Sequence, residues 1–488
     1  MQESLTQKTL HGLKWSYIST VSTAVMQIGY TAVMARLLNP SDFGLVAMGG
    51  VVLRFGSYFA QMGMSSALIQ KKDLTKEQVS AAFTSSIMLG FLFTLLTIVL
   101  APLSKFIFNS PEIVPIVKLM GLSFFINGFS LTALALIRRK LRFKSLAIAE
   151  TVSFMIGYLV IGIGSAFLGL GVWSLVLASL SQSALISIIA FFIIRHDLNL
   201  SFSLIDYKPL FSFGSKVSVL NFFEFLGYSA EPIFIGRFFG DTTMGYYNRA
   251  QMIINLPISY LINSISKVIY PSLCQIQDDI DRLKRNFFLI FNLSLIVLLP
   301  FSIMVFTLSR EIVLILLGQK WIQSIILLKV LAFAATFDYL QHLIGITLES
   351  KGILKERIYI QIVYPFLLSS VIIYFKSSGI VTVAVIVLIF YILRFFSYLF
   401  ILRKIEIRIL EFFSSIFYDI ISSLIFFVAI TIFYTFLHVV NSQVWFDFVL
   451  SVLFSLLVYL SILYLPFNNG IRNKSMGYFK ILLKNLFG

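Results

Sequence analysis

Long apolar segments alternate with short polar ones along the whole chain. A membrane-spanning helix needs about 20 mostly apolar residues, and by that measure the sequence predicts about fourteen spans. Their approximate limits are 13–35, 43–69, 80–103, 113–137, 146–167, 171–194, 213–236, 244–270, 287–308, 322–347, 357–375, 379–402, 413–437 and 445–466. Polar residues interrupt the segment near 322 and Pro365 interrupts the one near 357, so these two fit least well. The pattern predicts an all-α, polytopic membrane protein.

The pattern of residues 12–72 recurs from Gly214 onward. In both copies a glycine and a lysine open an apolar segment, an arginine closes it, and a glycine precedes the next one. The matched positions are Gly12 with Gly214, Lys14 with Lys216, Arg36 with Arg237 and Gly44 with Gly245. A repeated hydrophobic architecture is typical of transporters, which usually place the substrate where the repeats meet. We therefore expect a six-helix bundle in 1–200, its repeat in 201–402, and two additional helices with a basic tail in 403–488.

The composition agrees with a membrane location. Hydrophobic residues make up 58% of the 488 positions and charged residues only 12%, which a water-soluble core of this length does not require. A net charge of +16 is also typical of proteins that bind nucleic acid. However, the basic residues lie in short loops between apolar segments, as they do in membrane proteins. Membrane lipids are the expected partners, and nucleic acid is not.

The basic residues also predict the orientation. Counted over alternate loops, about 25 Lys and Arg fall on one side and about seven on the other, and the richer side is normally cytoplasmic. This bias predicts an even number of spans, with both termini in the cytoplasm. The loops are too short for a soluble catalytic domain, so we do not expect an enzyme. Cys274 is the only cysteine in the sequence, which leaves neither an intramolecular disulfide nor a multi-cysteine metal site, and no cofactor is expected.

Four segments carry a family resemblance. Residues 36–44 (RLLNPSDFG) resemble the loop between the first two helices of Wzx-type polysaccharide-transporter flippases of the MOP (multidrug, oligosaccharidyl-lipid, polysaccharide) superfamily. Three further segments are similar to its exopolysaccharide branch, the colanic-acid and teichuronic-acid exporter type. They are 63–75 (GMSSALIQKKDLT), 169–176 (GLGVWSLV), and 255–257 (NLP) followed by 270–273 (YPSL).

The resemblance implies a fold and a function. Such flippases have fourteen helices in two bundles, arranged as a V around a central cavity. They move undecaprenyl-diphosphate-linked oligosaccharides across the bacterial cytoplasmic (inner) membrane by alternating access, for exopolysaccharide, capsule or O-antigen assembly. The resemblance therefore implies a lipid-linked oligosaccharide as the substrate. The resemblance does not decide whether H+ or Na+ is a coupling ion, or whether polysaccharide polymerase machinery is a partner.

Basic residues within spans are the candidate substrate-binding groups. A diphosphate must cross a layer that penalises charge, and a basic cavity lowers that penalty, with Arg matching phosphate oxygens best. Charges within spans usually face a cavity or a partner. The lipid II flippases of the same superfamily show a similar pattern of cavity-facing basic residues in their first, second and eighth helices. The candidates are Arg54, Arg249, Lys14, Lys216 and Lys267.

These candidates have alternative interpretations. Arg54 lies near the middle of its span, where it would either face a cavity or pair with a carboxylate on a neighbouring helix. Lys14, Lys216 and Lys267 lie closer to span ends, and Arg249 lies early in its span. Long basic side chains in such positions also extend to the membrane surface without any role in binding.

Acidic residues and one histidine are candidates for ion coupling. Glu224 and Glu231 fall near one stripe of the seventh span, and Asp338 and His342 share a face of the tenth with Glu349. A buried carboxylate or a histidine suits proton coupling. The alternatives are that the glutamates neutralise the basic cluster, and that the second group is a satisfied polar patch.

Two other functions compete with the flippase. A cation-coupled multidrug exporter of the same superfamily should prefer acidic residues in its N-terminal cavity, whereas the first four spans contain Arg54 and no deep acidic residue. A membrane-embedded polysaccharide polymerase would usually need a large external loop with catalytic groups, and the sequence has none.

Overall fold

The computed structural model describes residues 5–61, 64–71, 74–195, 199, 201, 204–353, 355–440 and 443–463. For several helical stretches, among them 5–14, 204–224 and 260–268, the description covers the backbone alone. The described residues are almost entirely helical, and they contain no strand. They divide into two compact units, Met1–Asn248 and Arg249–Gly488. The repeat boundaries predicted at 200 and 402 describe the sequence pattern and stay a prediction.

The first unit contains nine helices and part of a tenth within its described residues. They are α1 Leu5–Leu37, α2 Pro40–Gln61, α3 Met64–Gln70, α4 Lys76–Phe108, α5 Ile113–Met120, α6 Leu122–Arg139, α7 Phe143–Phe154, α8 Ile163–Phe167, α9 Val172–Ile193 and the first part of α10 Leu204–Gln275. A π-helical stretch, Met155–Gly162, joins α7 to α8.

The described part of the second unit holds the remainder of α10 and seven further helices. They are α11 Ile280–Thr307, α12 Ser309–Leu316, α13 Ser324–Ser350, α14 Lys355–Tyr374, α15 Ile380–Ile401, α16 Ile409–Val440 and α17 Val444–Leu463. Short 3-10 turns, Gln319–Trp321 and Leu402–Ile405, lie before α13 and after α15.

Helix boundaries follow local chemistry. Thr75 and Gln78 form a reciprocal capping box at the start of α4, in which each side chain accepts a hydrogen bond from the other's backbone N–H, at 3.3 and 3.4 Å. This arrangement satisfies two donors that would otherwise lack partners. The same helix ends at Asn109, whose φ of 52° is left-handed. Asparagine tolerates that conformation better than most residues, which makes it a suitable helix terminator.

The predicted turns of the repeat are confirmed. α1 ends at Leu37 and α2 begins at Pro40, while α10 is interrupted at Gly240, whose torsions (φ 79°, ψ 179°) are not helical. The predicted second span is divided between α2 and α3, and the fourth is interrupted at Gly121 between α5 and α6. These breaks leave the order of apolar segments unchanged.

Eleven of the described helices or helix pairs are long and apolar enough to cross a membrane. They correspond to all the predicted spans except the second, the seventh and the eighth, which fall on α2–α3 and α10. Many large apolar side chains are exposed, for example Val99 at 70% and Phe106 at 70%, as expected where lipid is the solvent. The chain is therefore a multi-pass membrane protein, and the count of about fourteen spans stays a prediction.

Candidate functional site

A small polar pocket lies between α2, α4 and α6 in the first unit. Its volume is about 210 Å³. The polar residues lining it are Arg54, Ser57, Ser86, Ser123 and Asn127. None of the residues that line this pocket in the described part of the chain is an Asp or a Glu. The sequence-predicted Arg54 therefore lies in a pocket of basic and neutral polar groups.

Arg54 makes one of its contacts within its own helix. Its Nε donates to the carbonyl oxygen of Gly50 one turn earlier, at 3.4 Å, and the side chain is exposed. Ser57 donates to the carbonyl oxygen of Arg54 at 2.8 Å, and Ser86 donates to that of Ala82 at 2.8 Å. With their protons used in this way, both serine oxygens keep lone pairs that can accept hydrogen bonds. The guanidinium adds a planar set of donors suited to phosphate or carboxylate oxygens.

Close helix packing forms the pocket walls. A Cβ atom at Gly90 would lie 2.5 Å from the carbonyl oxygen of Phe124, and one at Gly128 would lie 2.7 Å from that of Ser86. The backbones of α4 and α6 therefore approach more closely than side chains would allow. Small residues commonly allow this in membrane proteins, where lipid supplies no hydrophobic force between helices.

Glu231 is buried and hydrogen-bonded in the first unit. It is 4% exposed, and its Oε2 accepts a hydrogen bond at 2.8 Å from the hydroxyl of Tyr247, which is fully buried. Both residues belong to α10, on opposite sides of the break at Gly240. This bond replaces part of the water that the carboxylate loses on burial. The suggested coupling role of Glu231 stays a prediction.

Four of the predicted site residues have undescribed side chains. The backbones of Lys14, Lys216, Glu224 and Lys267 lie in α1 and α10, but their side chains fall outside the described part of the structure. Their proposed binding or coupling roles stay predictions. Arg249 is partly buried in α10 and begins the second unit. Arg54 and Arg249 thus belong to separately described units.

The second unit contains a charged network on α13, α14 and α15. Asp338 accepts a 2.6 Å hydrogen bond from Nε2 of Gln341, and the charges of Arg394 and His342 act on it. His342 in turn experiences the charges of Arg357, Glu349 and Arg394 as well as Asp338. Glu349 and Arg357 form an ion pair. Asp338 and His342 therefore lie on one face of α13, as predicted, and the charges of Arg357 and Arg394 act on this face.

The sequence analysis did not select these arginines. Arg394 lies within the predicted span 379–402, and Arg357 is the first residue of the predicted span 357–375. Their formal charges offset those of Asp338 and Glu349, which favours a structural role for most of this network. A further cluster on α12, α16 and α17 was also missed, although His438 and Asp447 lie at the facing ends of two consecutive apolar segments.

Comparison with known proteins agrees with the class that the fold defines, a multi-pass helical membrane protein. The chain belongs to the polysaccharide biosynthesis protein family, whose sequence profile matches residues 33–326. The lipopolysaccharide biosynthesis protein WzxC of Escherichia coli is 24% identical over 351 residues, covering 72% of this chain and 71% of that protein. The teichuronic acid biosynthesis protein TuaB of Bacillus subtilis is 25% identical over 353 residues, covering 72% of each.

Solved structures share the fold. The lipid II flippase MurJ in its inward closed conformation superposes with a TM-score of 0.72 at 15% identity, over 97% of this chain and 99% of MurJ. An inward-facing multidrug resistance MATE family transporter of the MOP superfamily gives a TM-score of 0.61 at 15% identity, over 80% of this chain and 98% of that one. The recognition of the MOP superfamily fold from the sequence is confirmed.

Proposed function

We propose that the protein is a flippase that moves a polyprenyl-diphosphate-linked oligosaccharide across the bacterial inner membrane. The single observation that carries the proposal is the match to the polysaccharide biosynthesis family over residues 33–326. Relatives named for lipopolysaccharide and teichuronic acid biosynthesis support it, as does the likeness in fold to a lipid II flippase. The transported unit would serve exopolysaccharide, capsule or O-antigen assembly.

The proposed mechanism uses Arg54 as a diphosphate ligand. Its guanidinium lies in a pocket without carboxylates among the described lining residues, and its planar set of N–H donors matches phosphate oxygens. Serine and asparagine groups nearby suit sugar hydroxyls, because each can both donate and accept. Arg249, Lys14, Lys216 and Lys267 are proposed to extend this basic surface. The lipid tail would stay in the bilayer while the two bundles alternate in access.

The same pocket argues against a cation-coupled drug exporter. Such a protein needs an acidic group to hold its coupling ion and its cationic drugs. The pocket presents Arg54 to its interior instead. The likeness to a multidrug transporter concerns the fold, which hosts more than one function. We therefore propose a polysaccharide flippase rather than a drug exporter. The short loops support a transporter rather than a polymerase, and the excess of Lys and Arg in alternate loops supports two cytoplasmic termini.

The test is flipping of a defined lipid-linked oligosaccharide in vesicles that contain the purified full-length protein. We expect Arg54→Ala to slow the initial flipping rate by at least about tenfold, equivalent to about 1.4 kcal/mol. Arg54→Lys should keep part of the rate, because it retains the charge but not the planar fork. Lys118→Ala is the matched control, since this exposed basic residue of α5 lies outside the pocket.

Two results would contradict the proposal. If Arg54→Ala combined with Arg249→Ala flipped lipid at the unmodified rate, the basic cavity would be wrong. If the unmodified protein moved cationic dyes and not the lipid, the function itself would be wrong. Imposed proton or sodium gradients in the same vesicles would show which ion, if any, drives the step.

A further inference from the structure

Polar side chains from three helices meet near one end of α17 in the second unit. They are Arg310 and Glu311 from α12, Tyr434 and His438 from α16, and Asp447 from α17. The side chains of Glu311 and Asp447 are fully buried, whereas that of His438 is 31% exposed. Burying a carboxylate is costly unless it is paired and hydrogen-bonded. The cluster therefore needs compensating positive charge.

The contacts of His438 fit a neutral imidazole beside an ionised Asp447. Its Nδ1 lies 3.1 Å from Oδ2 of Asp447, and an ionised carboxylate only accepts, so Nδ1 donates. Its Nε2 lies 3.1 Å from Nη1 of Arg310, and a guanidinium only donates, so Nε2 accepts. With a proton on one nitrogen and a lone pair on the other, the imidazole is neutral in this arrangement.

The hydroxyl of Tyr434 completes the arrangement. It donates to Oε1 of Glu311 at 2.9 Å and lies 3.2 Å from Nε2 of His438. It therefore stands between the imidazole and the buried glutamate. One oxygen of each buried acid, Oε2 of Glu311 and Oδ1 of Asp447, has no hydrogen-bond partner in the described structure. Such orphaned buried acceptors weaken the cluster.

With a neutral His438, the cluster has more negative than positive charge. In the part of the chain that the structure describes, the ionisable groups facing His438 are Arg310 and Glu311 from α12, Tyr434 from its own helix, and Asp447 from α17. With the imidazole neutral, two negative charges meet one positive charge. That positive charge belongs to Arg310, whose side chain is 49% exposed and therefore partly screened by solvent. One added positive charge would balance the set.

We propose that His438, Glu311 and Asp447 form a proton-binding site, and that binding of the proton strengthens the contact of α16 and α17 with α12. This protonation-dependent contact is the lock. The proton binds at Nε2 of His438, which then turns from acceptor to donor. The new N–H donates to the Tyr434 hydroxyl or to Oε1 of Glu311, now 3.9 Å away. Arg310 then no longer donates to Nε2, but it stays paired with Glu311, whose Oε1 lies 3.8 Å from Nη1 of Arg310. The net charge changes from negative to zero, so the lock tightens on proton uptake and loosens as the pH rises.

The location of the site gives the lock a consequence. α16 and α17 are the two additional helices predicted beyond the repeat, and α12 follows α11, which also packs on α16. A contact that depends on protonation would couple the attachment of these helices to the pH on that side of the membrane. This inference does not depend on the proposed substrate, because it concerns only groups within the second unit.

The first experiment measures the proton directly. The full-length protein in nanodiscs, labelled with 13C-histidine, is titrated by NMR, and the resonance lost in His438→Gln is assigned to His438. We expect a reversible titration whose midpoint changes in Asp447→Asn. A resonance whose chemical shift does not change with pH would overturn the proposal.

The second experiment measures the lock. Hydrogen exchange of the amides of 309–316 and 444–452 is compared at pH values above and below that midpoint, after correction for intrinsic exchange. We expect about tenfold stronger protection when His438 is protonated, and no such difference in His438→Gln. His342→Gln is the control histidine variant and should keep the difference. If His438→Gln does not fold, Tyr434→Phe, which removes the hydroxyl between the imidazole and Glu311, should reduce the difference. Equal protection at both pH values, or a difference that persists in His438→Gln, would refute the lock.

Discussion

Gly44 and Gly245 each pack against the backbone that precedes the other. A Cβ atom at Gly44 would lie 1.8 Å from the carbonyl oxygen of Asp241, and one at Gly245 would lie 1.9 Å from that of Pro40. Both glycines lie in the first unit. The sequence repeat had matched these glycines with each other. The start of α2 and the segment of α10 just after Gly240, both in the first unit, therefore cross backbone to backbone at positions that the sequence pattern matches.

Replacing either glycine should disrupt this crossing. Gly44→Ala and Gly245→Ala should each cost about 3 kcal/mol of stability or more, because the methyl group would meet rigid backbone rather than a movable side chain. Gly29→Ala is the control, since a Cβ there meets nothing within 4 Å, and alanine is favoured over glycine in a helix by about 0.5–1 kcal/mol. Thermal unfolding in detergent measures all three. Similar midpoints for Gly44→Ala and Gly29→Ala would contradict the close crossing.

The packing of α4 on α6 supports the Arg54 pocket in a similar way. Gly128→Ala would place a Cβ 2.7 Å from the carbonyl oxygen of Ser86, which lines that pocket. We expect a loss of about 1–3 kcal/mol, because the helices must separate, together with slower flipping. Gly164→Ala in α8 meets nothing within 4 Å and should change neither property. An unchanged flipping rate in a clearly destabilised Gly128→Ala protein would show that the function of the pocket does not depend on the packing of α4 on α6.

The Tyr247 hydroxyl should stabilise the buried Glu231. Tyr247→Phe leaves Oε2 of that carboxylate without its 2.8 Å donor, which should cost about 1–3 kcal/mol. Tyr359→Phe is the control, because Tyr359 is 69% exposed. Comparing denaturation midpoints in detergent tests this difference. Equal effects of the two substitutions would show that Glu231 does not depend on Tyr247.

Arg237 should hold the end of α4. Its Nη1 donates to the carbonyl oxygens of Phe106 and Ile107, the latter at 3.0 Å, in the last turn of that helix. A cation is also favoured there by the helix dipole, so Arg237→Gln should cost about 1–2 kcal/mol. Its repeat counterpart offers a matched control. Arg36 donates to Ala32 in its own helix at 2.8 Å, so Arg36→Gln should cost less. The prediction fails if Arg36→Gln is the more destabilising change.

The Glu349–Arg357 pair should show measurable coupling. The two side chains are 37% and 15% exposed, and a double-mutant cycle with Gln at both positions should give about 1 kcal/mol. The Glu356–Lys404 pair, with 34% and 54% exposure, is more accessible to water and should give a smaller coupling. Chemical denaturation of the four proteins in each cycle provides the values. Equal coupling in the two cycles would mean that burial does not strengthen the first pair.

Much of the helical layout could be predicted because its signal is local. Apolar length predicted every described helix except α12, which falls between two predicted spans. The turns after Leu37 and near Gly240 were predicted from polar and glycine residues. Interruptions such as Gly121 were missed, because each lies within an apolar segment and changes its hydropathy very little. For the site, the position of a lone charge in the middle of an apolar segment was enough to select Arg54. Its neighbours Ser86 and Asn127 could not be selected, since serines and asparagines in spans are common.

The sequence alone determined that the chain crosses a membrane, that it contains a repeat, and that charges such as Arg54 and Asp338 lie within apolar segments. Only the tertiary structure decided which groups meet. It brought Gly44 to Asp241, Arg394 to Asp338, and His438 to both Glu311 and Asp447. The physical reason is that hydropathy and helix period act over a few turns of one segment. Contacts between charges depend instead on how distant helices pack, and a low-dielectric interior makes those few contacts strong.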